Sequence, residues 1–307
     1  MPDQPEPQLD SRGLALAFTA YFLWGAFPIY FKMLSAAGSF EIIGHRVLWT
    51  FVFCFLGVLV WREWGHLREV LADRGLFWTL AGAGALVTVN WSIYVWGVLN
   101  DHIVDAALGY FINPLVTVTL AVVVLKERLR TAQKIALGVG TAAVLVIALG
   151  YGQVPWVALS LAITFGLYGL LKKQVGGRVS PLVGLTVETA LLAPLALVFL
   201  GWLQLGGTSS YLAHGPGLTV GLTLAGVITA VPLLLFAAAS SRIPLSMMGL
   251  IQYLTPVIQF SLGVWLNHEV MPTPRWIGFG LVWVALVVLT VDSLRAARGR
   301  ELVVEPD

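Results

Sequence analysis

The chain has 307 residues, of which 58% are hydrophobic and only 11% are charged, with a net charge of +2 and a mean hydropathy of +0.86. Soluble domains carry about 25% charged residues, so this composition excludes an ordinary soluble enzyme as well as a disordered chain. The small net charge gives no indication of a nucleic-acid-binding surface, and the single cysteine, Cys54, cannot form an intrachain disulfide.

Long apolar stretches follow one another along the whole chain. A helix of about 20 apolar residues spans the hydrocarbon core of a bilayer, and a window of that length predicts ten spans with short loops. The polar residues 1–12 are expected to form a disordered cytoplasmic tail, and residues 295–307 a second cytoplasmic tail. The sequence therefore predicts an all-α polytopic membrane protein. The predicted spans are 13–34, 41–60, 76–99, 103–125, 132–149, 154–171, 181–203, 216–238, 245–266 and 274–294.

The distribution of basic residues predicts the orientation. Loops rich in Lys and Arg are retained on the cytoplasmic side of a membrane. One set of alternate segments holds 15 of the 18 basic residues, and the other side holds only Lys32, Arg46 and Arg275. Both termini are therefore expected in the cytoplasm.

The chain also repeats itself at half length. Residues 109–147 align without a gap on residues 251–289 at a shift of 142, which pairs Pro114 with Pro256 and Glu127 with Glu269. Weaker matches at shifts of 141 to 144 pair other positions, including His45 with Glu188. Five spans is an odd number, so the second copy must be inverted. Two inverted five-helix repeats, 13–149 and 154–294, are typical of secondary transporters, although a duplication can also be retained for packing alone.

A resemblance to a known family is carried by four strings: AYFLWGAFPIYFK at 20–32, EIIGHRVLWTF at 41–51, NWSIYVWGVLNDHIVDAALGYFINPL at 90–115 and LKERL at 125–129. They resemble the RarD subfamily of EamA-domain transporters in the drug/metabolite transporter superfamily. The resemblance implies a ten-helix carrier of the bacterial inner membrane with two EamA repeats and cytoplasmic termini. Members are often labelled chloramphenicol-sensitive, which does not name a substrate. Asp105 stands where the subfamily more often carries Glu.

Ionisable residues inside predicted spans are costly and usually face a cavity or a partner. Arg46 in span two is a candidate contact for an anionic or carboxylate-bearing substrate, because a guanidinium offers a bidentate fork. The alternatives for Arg46 are snorkelling to the outer interface or pairing with Glu41. His45 is a candidate proton relay or a packing residue. Glu188 in span seven has no basic residue within a helical turn and is the best candidate for proton coupling or cation binding, against a protonated carboxyl bonded to a neighbouring helix.

Amide and aromatic residues at mid-depth are predicted to line a cavity for a flat organic solute, with helix packing as the alternative. They are Asn90, Trp91, Tyr94, Tyr110 and Asn113 in spans three and four, and Gln252, Tyr253 and Gln259 in span nine. The symmetric pair Pro114 and Pro256 is the predicted hinge. Glu127 and Glu269 are predicted structural or gating residues, for which terminal salt bridges are the favoured reading.

No phosphate-binding loop and no paired metal-ligand motif is present in the sequence, so no cofactor, metal site or catalytic residue is predicted. A membrane enzyme would rest on His102 and Asp105 alone, and capping of a helix is the favoured role of Asp105. A channel would need rings of charge. The sequence predicts a secondary transporter that exports a small organic metabolite or drug by alternating access, either facilitative or proton-coupled. Its expected partners are that solute and membrane lipid, without nucleic acid, and the oligomeric state is not predicted.

Overall fold

The computed structural model describes residues 10–126, 129, 131–175, 177–240, 242–243 and 245–301. Every regular element within these ranges is helical. The first half contains α1 Ser11–Gly25, α2 Phe27–Met33, α3 Gly38–Val60, α4 Trp64–Ala72, α5 Arg74–Leu99, α6 Ile103–Leu125 and α7 Thr131–Tyr151. The second half contains α8 Trp156–Val175, α9 Pro181–Ala190, α10 Ala193–Leu205, α11 Pro216–Ser240, α12 Leu245–Ile251, α13 Leu254–Ser261, a π-helical turn Leu262–Leu266 and α14 Thr273–Glu301.

All ten predicted spans coincide with helices, but they do not all form straight spans. Within the described residues, eight helical segments are long and apolar enough to cross a membrane, and nine if α9 and α10, which are bent by 49°, count as one. The predicted ninth span is divided into α12, α13 and the π-helical turn, and its longest piece, Leu254–Leu266, is too short to qualify. The structure thus agrees with a polytopic membrane protein. It does not confirm that the number of spans is ten.

Prolines explain where the helices break. Proline lacks an N–H and clashes with the carbonyl four residues earlier, so it fits best in the first turn of a helix. Pro28, Pro194 and Pro256 stand in the first turns of α2, α10 and α13, each just after an interruption. Pro114 and Pro232 lie inside the continuous helices α6 and α11. The predicted hinge pair is therefore unequal, since only Pro256 follows a break.

Helices extend into both of the segments that were predicted to be tails. Helix α1 begins at Ser11, where the carboxylate of Asp10 accepts a hydrogen bond from the backbone N–H of Arg12 at 2.9 Å. Helix α14 continues to Glu301, beyond the predicted end at residue 294. The remaining tail residues, 1–9 and 302–307, lie outside the described residues.

Helix α4 was not predicted, because it is too short and too polar to resemble a membrane span. It is followed by Asp73, whose carboxylate caps α5 by accepting from the N–H of Gly75 and Leu76. Arg178, from the segment before α9, donates to the other carboxylate oxygen at 2.8 Å. The Leu76 N–H and the Arg178 guanidinium hold the pKa of Asp73 below its ordinary value. This surface link joins the two halves of the chain.

The two halves of the chain pack extensively against each other. Helix α3 contacts α11 and α9, α5 contacts α8 and α9, α1 contacts α11 and α13, α6 contacts α8 and α13, and α7 contacts α14. At Gly84 and Gly226 the contact is too close for any side chain. A Cβ added to Gly84 would collide with the backbone carbonyl of Glu188, and one added to Gly226 would collide with that of Trp49. Glycine therefore lets α5 touch α9, and α11 touch α3, backbone to backbone.

Candidate functional site

Helix α3 carries Arg46 into the interior, where the residue is only 3% exposed. Its Nε donates to the hydroxyl of Thr229 on α11 at 2.9 Å. Its guanidinium carbon lies 4.2 Å from the ring centroid of Trp91, 5.2 Å from that of Phe31 and 5.5 Å from that of Phe27. A cation of the first half is thus held by a hydroxyl of the second half and surrounded by aromatic rings, which attract cations electrostatically.

The guanidinium is not fully satisfied by these contacts. Its Nη1 is buried and has no hydrogen-bond partner among the described residues. The predicted alternative of a pair with Glu41 is wrong, because Glu41 Oε1 accepts from the backbone N–H groups of Ser210 at 2.8 Å and Tyr211 at 3.1 Å and from the hydroxyl of Ser209 at 2.8 Å. Snorkelling is also wrong, since Arg46 is buried rather than at an interface.

Three further predicted residues join this site. Gln259 on α13 donates to the hydroxyl of Tyr94 at 3.0 Å and to the carbonyl of Trp24 at 3.1 Å. The ring of Tyr94 lies 6.1 Å from that of Phe31 and 5.9 Å from that of Tyr110. We define the Arg46 cluster by its eight members, which come from both halves of the chain: Phe27, Phe31, Arg46, Trp91, Tyr94, Tyr110, Thr229 and Gln259.

Glu188 forms a second buried site. Lys172 Nζ lies 2.6 Å from Glu188 Oε1, and the hydroxyl of Tyr168 lies 3.3 Å from Oε2. Both partners come from α8, one turn apart, while the Glu188 side chain on α9 is fully buried. The expectation of a lone carboxylate was wrong, because the basic partner belongs to a neighbouring helix and not to the same one. We call Tyr168, Lys172 and Glu188 the Glu188 cluster.

A row of aromatic rings connects the two clusters. The ring of Phe165 lies 6.1 Å from that of Tyr110 and 5.9 Å from that of Tyr168. Tyr110 belongs to the Arg46 cluster and Tyr168 to the Glu188 cluster. The two buried charges are therefore joined through ring contacts of α6 and α8.

Two predicted residues are engaged elsewhere. The ring of His45 stacks on that of Tyr211 with centroids 4.5 Å apart, and neither ring nitrogen has a hydrogen-bond partner among the described residues. The amide of Asn90 donates to the carbonyl of Leu161 at 3.1 Å and to the hydroxyl of Thr164 at 2.9 Å. Its contacts join α5 to α8, which is the packing role weighed as the alternative.

The remaining predicted lining residues lie near α8 or near the break in the predicted ninth span. Asn113 on α6 lies beside Gly166 of α8, and its Oδ1 has no partner among the described residues. Gln252 and Tyr253 separate α12 from α13. Tyr253 lines an apolar cavity of about 300 Å³ between α6, α12 and α14, rather than the Arg46 cluster.

Glu269 lies at the beginning of α6. Its two carboxylate oxygens accept from the backbone N–H groups of Ile103 at 2.6 Å and Val104 at 3.0 Å. Burial raises the pKa of Glu269, while the N–H groups of Val104 and Ile103 oppose that rise. The salt bridge favoured by the sequence is therefore wrong, since Glu269 caps a helix instead. Its predicted counterpart Glu127 lies outside the described residues.

Further charged groups surround the same helix end. Asp105 accepts from Arg275 at 2.8 Å and contacts His102 at 2.7 Å, so the capping role expected for Asp105 is filled by Glu269. Asp101 accepts from Lys32 at 2.6 Å and from Asn267 at 3.0 Å, and these two donors lower its pKa. We define the α6 terminal network as Lys32, Asp101, His102, Asp105, Asn267, Glu269 and Arg275. It ties α2, α6 and α14 together.

Several site residues were missed in the sequence. Lys172 is one of the 15 basic residues that predict the orientation, and nothing in the sequence places Lys172 or Tyr168 beside Glu188. Phe27 and Phe31 stand inside the string at 20–32 that carried the family resemblance, and Thr229 lies in the predicted span 216–238. Only the folding of separate helices brings these residues together. In the described part of the chain, no group of three His, Cys, Asp or Glu residues could hold a metal ion.

Comparison with known proteins identifies the family. The model of the EamA-like transporter family matches residues 11–149. Protein RarD of Streptomyces exfoliatus is 47% identical over 93% of this chain and 90% of its own length. The chain belongs to the RarD subfamily of EamA transporters, within the drug/metabolite transporter superfamily. The resemblance seen in the sequence is thereby confirmed.

Other relatives agree with this assignment. An uncharacterized transporter of Vibrio cholerae is 39% identical over 95% of this chain and 96% of its own length. A crystal structure of another protein is similar to this chain in fold alone. The two share a TM-score of 0.58 and 17% sequence identity, and the match covers 92% of this chain and 98% of that chain. This RarD-subfamily chain is a multi-pass transporter of the drug/metabolite type in the bacterial inner membrane.

Proposed function

We propose that this transporter is a secondary carrier that exports a small organic metabolite or drug by alternating access at the Arg46 cluster. The observation that carries the proposal is the position of that cluster between the two halves. Arg46 and Tyr94 of the first half bind Thr229 and Gln259 of the second half. In carriers built from inverted repeats, the substrate site lies at the interface of the repeats, where a relative movement of the two opens it to either side.

The proposed carrier has ten spans in two inverted repeats, 13–149 and 154–294. The ten arise if the bent pair α9–α10 and the broken segment α12–α13 each count as one span. The pattern of helix packing supports the repeat. The contact of α3 with α11 corresponds to that of α9 with α5, and the contact of α1 with α13 corresponds to that of α8 with α6. Gly84 and Gly226, at the two closest backbone contacts, are 142 residues apart, the same shift as in the sequence alignment.

The proposed orientation has both termini in the cytoplasm, supported by the 15 basic residues on that side. The α6 terminal network then closes the outer face, and the Asp73–Arg178 pair lies on the inner face. A reporter that is active only in the cytoplasm, fused to the carboxyl terminus, tests the orientation. Activity is expected, and a silent fusion in cells that contain the full-length protein would contradict it.

Transport itself can be tested without knowing the solute. Proteoliposomes containing the purified protein are loaded with a bacterial small-molecule extract, and the solutes that leave are identified by mass spectrometry. A carrier is expected to release a small set of solutes unchanged in mass, and faster when the same solute is present outside. Release without this stimulation would favour the channel alternative, and release of altered molecules would favour an enzyme. If the protein is an exporter, everted membrane vesicles that contain it should take up the same solutes.

Proton coupling is proposed for the Glu188 cluster, because Glu188 is a fully buried carboxylate whose only charged contact is Lys172 among the described residues. Glu188→Gln is expected to abolish the pH-dependent component of transport while leaving solute exchange intact. Asp73→Asn, which removes a carboxylate at the surface, is the matched control and should keep the pH dependence. Unchanged pH dependence in the Glu188 variant would remove this role from Glu188.

A further inference from the structure

Among the described residues, the guanidinium of Arg46 has no counter-ion. Its contacts are one hydroxyl and aromatic rings, and Nη1 has no hydrogen-bond partner within the described ranges. An arginine stays protonated in proteins, and a buried charge without an opposite charge is unfavourable by several kcal/mol. An anion bound beside Nη1 would complete this site.

The buried carboxylates of the described residues already have partners of their own. Glu41, five residues earlier on α3, accepts from the segment around Ser210. Glu188 is bound by Lys172, and Asp105 by Arg275. Neutralising Arg46 from within would require one of these groups to leave its own partners, which include other cations. A ligand can supply the missing charge at no such cost.

The surroundings of Arg46 narrow the chemistry of that ligand. One positive charge matches one negative charge, so a phosphate ester, whose second charge would remain unpaired in an aromatic surrounding, fits poorly. A carboxylate accepts N–H bonds from a guanidinium in a planar geometry. The rings of Phe27, Phe31 and Trp91 offer flat apolar surface for the rest of the molecule.

We propose that the Arg46 cluster binds a monocarboxylate with a planar or aromatic body, whose carboxylate pairs with Nη1 of Arg46. This inference rests on the proposed function, of which it names the substrate class. The carboxylate replaces the absent protein counter-ion, and Thr229 fixes the guanidinium through Nε. Neutral analogues of the same shape lack the charge that completes the site.

The test compares acids with their amides. Thermal unfolding of the purified protein is measured with benzoate, phenylacetate and phenylpropanoate, and with benzamide, phenylacetamide and phenylpropanamide, because a ligand of the native state raises the unfolding temperature. At least one acid is expected to stabilise the protein, with an affinity about tenfold higher than that of its amide, the ratio that a charge-assisted hydrogen bond provides. Equal effects of acid and amide, or stabilisation by no acid even at high concentration, would overturn the inference.

Two variants locate the effect. Arg46→Gln is expected to remove the preference for acids. Arg68→Gln is the matched control, since Arg68 also lies over a tryptophan ring, 5.2 Å from that of Trp64, but on an exposed surface. If the Arg46→Gln variant still preferred acids to amides, the assignment of the carboxylate to Arg46 would be wrong. This result can be told apart from that of the transport assay. Stimulated export of uncharged solutes alone would support the carrier and contradict the carboxylate as its substrate. Binding of acids without any flux would support the carboxylate site and contradict the carrier.

Discussion

Arg46 and Glu188 are both buried charges, and they stand 142 residues apart, the same shift that aligns the two halves of the sequence. Glu188 has its counter-ion inside the protein, at 2.6 Å from Lys172. Arg46 has aromatic rings and one hydroxyl instead. The difference teaches that burial alone does not define a site. A charge neutralised by the protein is suited to exchanging a proton or holding a conformation, and a charge left open is suited to receiving a ligand.

Within the Arg46 and Glu188 clusters, the largest expected effect comes from removing the internal counter-ion of Glu188. Lys172→Met leaves a carboxylate buried without its cation, and we expect a loss of about 3 kcal/mol in the free energy of unfolding, because breaking a buried pair strands a charge. The loss lies near the low end for such pairs, since the Lys172 side chain is 30% exposed. Unfolding in detergent measures it.

The double variant Lys172→Met/Glu188→Gln serves as the control for this pair. It removes both charges, so it should recover most of the stability that the single variant loses. A single variant as stable as the unaltered protein would mean that the pair contributes nothing to the fold.

A smaller loss is expected at the backbone contact beside Glu188. Gly84→Ala forces α5 away from α9, and overpacking of this kind costs about 2 kcal/mol. Gly201→Ala on α10 is the control, because nothing lies within 4 Å of an added Cβ there. Equal thermal stability of the two variants would show that α5 and α9 adjust without strain.

The α6 terminal network is expected to produce opposite effects of pH on stability at two carboxylates. Burial raises the pKa of Glu269, so the native state keeps a proton that the unfolded chain has released, and stability falls as pH rises above the ordinary range of glutamate. Glu269→Gln should flatten that fall.

Lys32 lowers the pKa of Asp101, so the stabilising effect of the Asp101 carboxylate is present above the ordinary pKa range of aspartate and is lost as pH falls below it. Asp101→Asn should flatten the acid side instead. Unfolding temperatures across pH separate the two, and the same profile for both variants would contradict the assignment.

The smallest expected change in stability comes from Arg46 itself. Arg46→Met removes a buried charge without a counter-ion, so the free energy of unfolding should stay within about 0.5 kcal/mol of its original value. Arg275→Met is the matched comparison, since Arg275 is equally buried but bound to Asp105 at 2.8 Å, and it should lose about 3 kcal/mol. If both variants lost stability equally, the contrast between open and neutralised charges would be wrong.

Much of the fold could be predicted because a bilayer requires long apolar helices. Each span predicted from hydropathy falls on helical residues in the described part of the chain, and the strings at 20–32 and 90–115 carried the resemblance to the family. The breaks before Pro194 and Pro256 were less predictable, because proline can stand inside a continuous helix, as Pro114 does. Helix α4 escaped because its length and polarity resemble those of a loop.

The candidate site was predicted in part. Polar and aromatic residues within spans drew attention to Arg46, Trp91, Tyr94 and Gln259, which the fold brings close together. Their role in binding a substrate stays a prediction. Which charge pairs with which could not be predicted, because Lys172 reaches Glu188 from another helix. Helical spacing within one segment holds no information about such contacts.

The glycine contact between α11 and α3 sets a mechanical limit on any rearrangement. Because the backbone at Gly226 rests directly on that at Trp49, these two helices cannot roll or slide without opening a gap along their common seam. The proposed movement of one half against the other must therefore either turn about this contact or separate it. Separation would also break the hydrogen bond between Arg46 and Thr229, which the same two helices carry.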